Sequence, residues 1–417
     1  MSQIRELEDF KDNFNPFTAL LEVAGEGKVV DPYVELGRLR RISPIHELDL
    51  HEIFGLKKQV TIGNRRTFVV LGYDAVNATL NKPADFLNCI YETNLGITFG
   101  KTITAMDGAE HARYRKLFQS AFVPKMLNSL RPRFQAVLDR LIGQFARRGK
   151  ADLVQELALH FPFQFIMDLM DMPMESRPLF HKIAMAQTCV PFDREHGVQA
   201  SRMLGDYLGD LINERRALKS ETDFVSVIAN AEVDGERLPQ EVVVSFFRQL
   251  MNAGGDTSYH GFSNVLTALF THPDQLERVR QDRSLVPQTI DEGLRWNGPI
   301  NDLARTPSHD LELCGVKLPK DAYLHICIGA ANRDETIWEN PDRFDIFRPV
   351  KRHFAFGFGP HICIGQHLAR MELTMALNTL LDRLHGLRLD DSMPPPVIRG
   401  LSMRGAESVH VVFDKVH

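Results

Sequence analysis

Apolar residues that recur every three or four positions run through most of the chain. They predict helices over His111–Ala121, Pro132–Arg148, Gly205–Ala217, Pro239–Thr271, Pro287–Trp296 and Ile364–Leu384. Strict alternation is rarer and shorter. Val60–Ile62 and Thr67–Leu71 flank Gly63-Asn64-Arg65-Arg66, which reads as a β-hairpin with a glycine turn, and further strands are expected at Leu311–Val316, Ala322–Ile328 and Ser408–Phe413. No internal repeat, low-complexity tract or linker interrupts this pattern. The expectation is therefore a mainly α fold with a small β portion, a single domain over residues 1–417 whose first 30 residues form a polar leader.

The stretch Pro239–Thr271 is the most informative helix. Asp234-Gly235 supplies a turn, Pro239 a first-turn residue and His272-Pro273 a stop, leaving about 32 residues or ~48 Å of rod. Its first half (Val242, Val243, Val244, Phe246, Phe247, Leu250, Met251) is apolar on nearly all sides, as in a helix that runs through a core. Ala253-Gly254-Gly255-Asp256-Thr257 interrupts it. Two glycines each cost about 1 kcal/mol relative to alanine in a helix, which is understandable if something flat lies against that face. Thr257 can bond back to the Ala253 carbonyl and open the helix locally.

Composition narrows the class. The 417 residues carry a net charge of −5 without a basic run, which disfavours nucleic acid as a partner. The charged start of the chain suits neither a signal peptide nor a membrane anchor, and no stretch nears the ~18 apolar residues that a membrane span needs. Cys89, Cys189, Cys314, Cys327 and Cys363 are odd in number, scattered and without a C-x-x-C pair, so a reducing cytoplasm is expected.

The chemistry concentrates around Cys363. The run Phe356-Gly357-Phe358-Gly359-Pro360-His361-Ile362-Cys363-Ile364-Gly365 leads into the last long helix, expected to start at about Ile364. Glycines let the backbone bend sharply and approach a flat object, while free N–H groups at a helix start favour an anionic sulfur. A thiolate held in this way suits a permanent metal ligand. A zinc site from His361, Cys363 and His367 is an alternative, with Cys363 and His367 four apart on a helix face.

The pattern Phe-Gly-x-Gly-x-His-x-Cys-x-Gly resembles the cysteine loop of the cytochrome P450 superfamily, the haem-thiolate monooxygenases, and every position is filled. The resemblance extends over nearly the whole chain and implies the single-domain cytochrome P450 fold, with the long central helix over the haem. It implies haem b (iron protoporphyrin IX) as cofactor and Cys363 as the axial iron ligand, with Phe356, Gly357, Gly365, Ala253 and Gly254 against the macrocycle. Asp256 and Thr257 match the acid–alcohol pair that delivers protons during O2 activation. His111, Arg115, Arg305 and His361 match the positions that bind the two propionates. Glu292 and Arg295 match E-x-x-R, which with Arg348 forms a bracing triad that does not react.

By the same resemblance, substrate contacts fall in Phe86–Thr104, Ile183–Phe192, Leu250–Thr257, Ile300–Leu303 and Leu401–Met403, giving a pocket that includes Ile90, Leu95, Ile97, Phe99, Val190, Leu250, Ile300 and Leu401. Lys116, Lys351, Arg352 and Arg370 are candidates for a patch that docks an acidic iron–sulfur ferredoxin. The chain has no ferredoxin cysteine pattern and no dinucleotide G-x-G-x-x-G, so electrons are expected from that ferredoxin and an NAD(P)H-dependent reductase. The implied function is O2-dependent hydroxylation, epoxidation or dealkylation of a small, mainly apolar molecule such as a terpenoid or aromatic, by a cytoplasmic monomer. A peroxide-driven peroxygenase and a non-catalytic haem sensor or carrier are the rival readings.

Overall fold

The expected central rod forms as one continuous helix, Gln240–Phe270, with Pro239 as its N-cap. The computed structural model describes residues 8–17, 26–173, 175–190, 193–218, 223–233 and 235–414. Parts of the expected leader (1–7 and 18–25), Asp234 of the expected turn, and Pro191 and Phe192 of an expected substrate segment lie outside them.

Val242, Val243, Phe246, Phe247 and Met251 of the central helix are all buried, as a rod through the core requires. The helices Phe161–Leu169, Arg194–Leu218, Val286–Trp296 and Gln366–Arg383 pack around it. The fold is the mainly helical one expected, and among the described residues no helix is long and apolar enough to cross a membrane.

Two helices begin more than two turns earlier than their sequence signals suggested. The segment expected from Pro132 runs over Pro124–Phe145: Pro124 takes the first-turn position and Pro132 sits inside the helix. The segment expected from Gly205 starts at Arg194. Gly205 is an interior position of close approach, where an added Cβ would fall on the guanidinium of Arg248 in the central helix. Glycine there makes room for a neighbour and does not start the helix.

The β portion differs from expectation in one respect that matters. Val60–Ile62 is a 3-10 turn with Val60 82% exposed, so the expected hairpin does not form. Thr67–Val70 instead pairs in parallel with Tyr323–Ile326, Leu324 opposite Phe68, and antiparallel with Ile45–His46. Both parallel strands are buried throughout, which favours this pairing over a solvent-facing hairpin. Leu303–Pro307 and Phe86–Leu87 complete a five-stranded sheet. The strand expected over Leu311–Val316 folds back on itself as Leu311–Leu313 and Val316–Leu318, because Cys314 (φ 50°) and Gly315 (φ 78°) form a left-handed two-residue turn.

The glycines of the central helix face a neighbouring helix. A Cβ on Gly254 would meet Ile166, and one on Gly255 would meet the Phe163 ring, both in Phe161–Leu169. The Phe163 ring in turn lies 3.8 Å from the imidazole of His181, centroid to centroid. Burial, with a lesser push from His160, lowers the His181 pKa from its ordinary 6.5 to about 4. The unfolded chain then binds a proton that the folded chain refuses. Stability should be complete above pH 6.5 and fall as the pH drops toward 4. Urea unfolding at pH 7 and pH 5 should show a loss of about 2 kcal/mol in the parent that His181→Phe lacks; an equal loss in both proteins would refute this account.

Candidate active site

The cysteine loop is built on backbone hydrogen bonds. The Gly357 N–H donates to Phe354 O (2.8 Å), the Cys363 N–H to Phe356 O (2.8 Å) and the Ile362 N–H to Gly359 O (3.1 Å). Gly359 has φ 69°, and a Cβ on it would lie 2.3 Å from the Leu80 carbonyl oxygen, so only glycine fits. The following helix starts at Gln366, with Gly365 as its N-cap. Cys363 thus precedes the helix, which corrects the expectation of a start near Ile364 and removes the shared helix face of Cys363 and His367. Among the described residues, His361, Cys363 and His367 do not come together as a metal-binding group.

Cys363 is accessible on one side, yet its sulfur sits deep enough that burial raises the thiol pKa. The Gly365 N–H, then the charges of Arg115 and Arg370, pull the other way. The balance leaves a neutral thiol that a metal ion would deprotonate on binding.

Beside this loop the four expected propionate partners converge. The rings of His111 and His361 stack with centroids 3.8 Å apart, and Arg115 donates to the Ile362 carbonyl. Arg305 is 4% exposed; it donates to Ala304 O (2.7 Å) and lies beside Tyr91, whose hydroxyl accepts from the Ala304 N–H (2.8 Å). Burial, with the neighbouring positive charges, lowers His111 to about 4 and His361 to about 3. Nε2 of each histidine is buried without a hydrogen bond. Asp107 lies 3.9 Å from His361, but its carboxylate is held by the Asn88 and Cys89 N–H groups. Two imidazoles with unused nitrogens beside the buried guanidinium of Arg305 and the half-buried one of Arg115 fit a dianionic ligand, and the exposed cysteine next to them fits its metal. The residues present therefore fit an iron porphyrin with two propionates.

On the central helix Ala253 is exposed, and the Thr257 hydroxyl donates to the Ala253 carbonyl (2.6 Å) without breaking the helix. The expected local opening does not occur. Gly254 and Gly255 owe their size to Ile166 and Phe163, so the flat-object argument applies to Ala253 and Thr257, one turn apart. Asp256 Oδ1 lies 3.3 Å from His260 Nδ1, a partner the sequence analysis missed although the i,i+4 spacing was visible. Also missed was Glu372, 1% exposed, which accepts from the Ser258 hydroxyl (3.1 Å) and whose pKa burial raises to about 8. No spacing in the chain connects Ser258 with Glu372.

Of the expected pocket residues, Leu95, Ile97 and Ile300 are half-buried, while Phe99, Val190 and Leu250 are buried. Ile90 and Leu401 lie within separate apolar clusters. Ile90 packs with Ile62, Ala304 and Tyr323, and Leu401 with Val69, Leu71 and Cys327. The structure does not bring these two to an open face.

The bracing triad is complete. Arg295 donates twice to Glu292 (2.7 and 2.9 Å), and Arg348 donates to Glu292 Oε1 (3.2 Å). The Asp345 N–H bonds the same oxygen (3.0 Å). Arg295 also reaches the carbonyls of Asn332 (3.0 Å) and Pro341 (2.9 Å). The Asn332 side chain accepts from the Phe354 N–H (2.7 Å), two residues before the loop.

A helical fold of this kind with a cysteine loop of this geometry defines a haem-thiolate protein, and comparison with known proteins agrees. The family model described as Cytochrome P450 matches residues 163–407. The chain is 31% identical to the cytochrome P450 monooxygenase PikC of Streptomyces venezuelae, over 91% of this chain and 92% of that one. It is 34% identical to a steroid C26-monooxygenase of Mycobacterium tuberculosis H37Rv, over 74% and 79%. The solved structure of the polyketide synthase cytochrome P450 PksS from Bacillus subtilis 168 superposes with a TM-score of 0.82 at 29% identity, covering 92% of this chain and 97% of that one. The chain belongs to the cytochrome P450 family and is a cytochrome P450 monooxygenase; the family's cofactor is a haem held by thiolate.

Removing the Glu292 carboxylate would leave two guanidinium groups and one backbone N–H without their acceptor. Glu292→Ala should destabilise the fold by about 3–5 kcal/mol in urea unfolding, and the haem content of the purified protein should fall with it. Unchanged stability would show that the bracing role is wrong.

Proposed function

We propose that this protein binds haem b through Cys363 and uses O2 to insert one oxygen atom into a small, mainly apolar organic molecule, with electrons from a ferredoxin and its NAD(P)H-dependent reductase. The observation that carries this reading is the exposed residue Cys363, its thiol next to the Gly365 N–H and beside the cluster of His111, Arg115, Arg305 and His361. When bound, the haem supplies O2 activation and oxygen transfer. Cys363 would ligate its iron, and His111, Arg115, Arg305 and His361 would receive the propionates. Phe356, Gly357 and Gly365 would line the cysteine side, with Ala253 and Thr257 on the helix opposite, where Gly254 is turned toward Ile166.

Asp256 and Thr257 are the proton-handling pair. The Thr257 hydroxyl spends its proton on the Ala253 carbonyl, so its lone pairs face outward to accept and hold a proton donor. Asp256, beside His260, is placed to exchange protons with solvent-side groups. Leu95, Ile97, Phe99, Val190, Leu250 and Ile300 supply the apolar pocket. The relatives named for steroid and polyketide chemistry support steroid-like and polyketide-like molecules, besides terpenoids and aromatics, as first candidates.

The electron-donor reading rests on the cysteine side of the molecule. Lys351, Arg352 and Arg370 border one cleft of about 340 Å³, together with Phe356, Gly357 and Phe358 of the loop. Arg352 lies over the Phe358 ring and Arg370 over the Phe356 ring, each at 4.3 Å. Arg370 also pairs with Asp291 (2.8 Å) and the Lys351 ammonium donates to the Ile337 carbonyl (2.6 Å), which leaves Arg352 as the most available cation of the cleft; Lys116 is exposed. Charge there would steer an acidic partner toward the loop.

The deciding experiment is a carbon monoxide difference spectrum of the dithionite-reduced protein. A red-shifted Soret band characteristic of thiolate-ligated iron is expected, and Cys363→Ser should abolish it while the far-ultraviolet circular dichroism stays the same. A histidine-like band in the parent would overturn the assignment. With a surrogate ferredoxin system and a substrate identified by its spin-state shift, Thr257→Ala should lower product formed per NAD(P)H several-fold and raise peroxide release; unchanged coupling would remove Thr257 from the relay.

A further inference from the structure

A second cluster of buried polar groups lies on the sheet side of the molecule, away from Cys363 and the basic cluster beside it. Asp49, His51 and His325 are 3%, 4% and 0% exposed, and each offers a ligand atom within 4.8 Å of the others'. Asp49 caps the short helix Leu50–Ile53: its Oδ1 accepts from the His51 N–H (2.9 Å) and the Glu52 N–H (3.3 Å). Its Oδ2 has no hydrogen bond and is aimed at His325 Nε2, 3.5 Å away and likewise without one. On the other side of the same imidazole, His325 Nδ1 lies 3.2 Å from Asp302 Oδ2.

This is the arrangement of a prepared histidine ligand. An Nδ1–H that donates to Asp302 leaves the lone pair on Nε2, which is how an outer carboxylate fixes the tautomer of a metal-bound histidine. The 3.5 Å gap between Nε2 and Oδ2 is too wide for a good hydrogen bond. It is close to the edge of a tetrahedron, about 3.3 Å, drawn around an ion with bonds of ~2.0–2.1 Å. His51 offers the third ligand atom, within 4.8 Å of those of Asp49 and His325, and its Nδ1 lies 3.9 Å from Asp49 Oδ1. Its Nε2 faces the Gln59 side-chain amide at 3.3 Å, which presents an oxygen acceptor when turned over.

We propose that Asp49, His51 and His325 bind one divalent transition-metal ion of the zinc class, with Asp302 orienting His325 and a fourth position left for water. The charge count agrees: two carboxylates and two neutral imidazoles balance a 2+ ion. Nitrogen and oxygen donors in a small tetrahedral set select Zn2+ or Co2+ over Mg2+ or Ca2+. Asp49 also borders a surface cleft of about 440 Å³ lined by Glu47, Glu52 and Lys58, which gives the ion a way in. The ion would fasten the helix Leu50–Ile53 to the strand Tyr323–Ile326 and, through Asp302, to the segment that carries Ile300.

The test is equilibrium dialysis of chelator-treated holoprotein against Zn2+, with zinc counted per haem iron. One tight equivalent is expected. It should weaken at least ten-fold in His325→Gln and in Asp49→Asn, weaken about 10–100-fold in Asp302→Asn, and survive in His309→Gln, which removes an exposed surface histidine. No tight equivalent, or one retained in both His325→Gln and Asp49→Asn, would overturn the proposal. Should those variants fail to fold, anomalous diffraction at the zinc edge from parent crystals decides. A peak between Asp49 and His325 supports the site, and a peak elsewhere or none refutes it.

Discussion

One carboxylate, that of Glu292, holds three parts of the chain in register. It accepts from Arg295 within its own helix, from Arg348 about fifty residues later, and from the Asp345 backbone between them. A pair this deeply buried gains little net energy from Coulomb attraction alone, because desolvation opposes it. Its importance is geometric: the arginines' remaining N–H groups are distributed over carbonyls of Asn332, Asn340, Pro341 and Arg343. The segment that leads into the cysteine loop has little regular secondary structure between Asn332 and Gly359. Its shape therefore depends on these side-chain-to-backbone bonds, and the loop inherits that shape through Asn332 and Phe354.

The loop and the basic cluster beside it share an electrostatic logic. Arg115 touches both, donating to the Ile362 carbonyl while its charge acts on Cys363. Arg115 makes protonation of the two stacked histidines harder and a thiolate easier, with Arg305 adding to the first effect at His361 and Arg370 to the second at Cys363. A ligand that brings anionic groups to one side and a cation to the sulfur would relieve both frustrations together. Such reciprocal relief explains how a site so poor in internal hydrogen bonds can belong to a stable fold.

Much of this was legible in the chain because it is local. The cysteine loop, the Glu292–Arg295 spacing and the central helix each lie within a short run of residues whose pattern has a direct physical meaning. What escaped was set by distant partners. Val60–Ile62 alternates like a strand, yet Thr67–Val70 is claimed by Tyr323–Ile326. Gly205 and Gly254 resemble a helix start and a kink, but their smallness answers to Arg248 and Ile166 across an interface. Pro132 looked like a beginning and is an interior residue, since Pro124 already provides the first turn. Leu401 and Ile90 were assigned to a pocket by position along the chain, and packing put them into other clusters. Pairings such as Ser258 with Glu372 join helices that have no sequence periodicity in common.

The parallel pairing of Thr67–Val70 with Tyr323–Ile326 also bears on how the chain is made. The two strands lie about 250 residues apart, so at 5–20 residues per second the first waits roughly 10–50 s on the ribosome for its partner. Throughout that interval a short strand whose every residue is destined for burial has both edges available and only Ile45–His46 at hand to cover one of them. The β portion of this protein is consequently the part whose acquisition depends on timing, and the growing chain must keep that strand from other partners until the last quarter of the sequence has emerged.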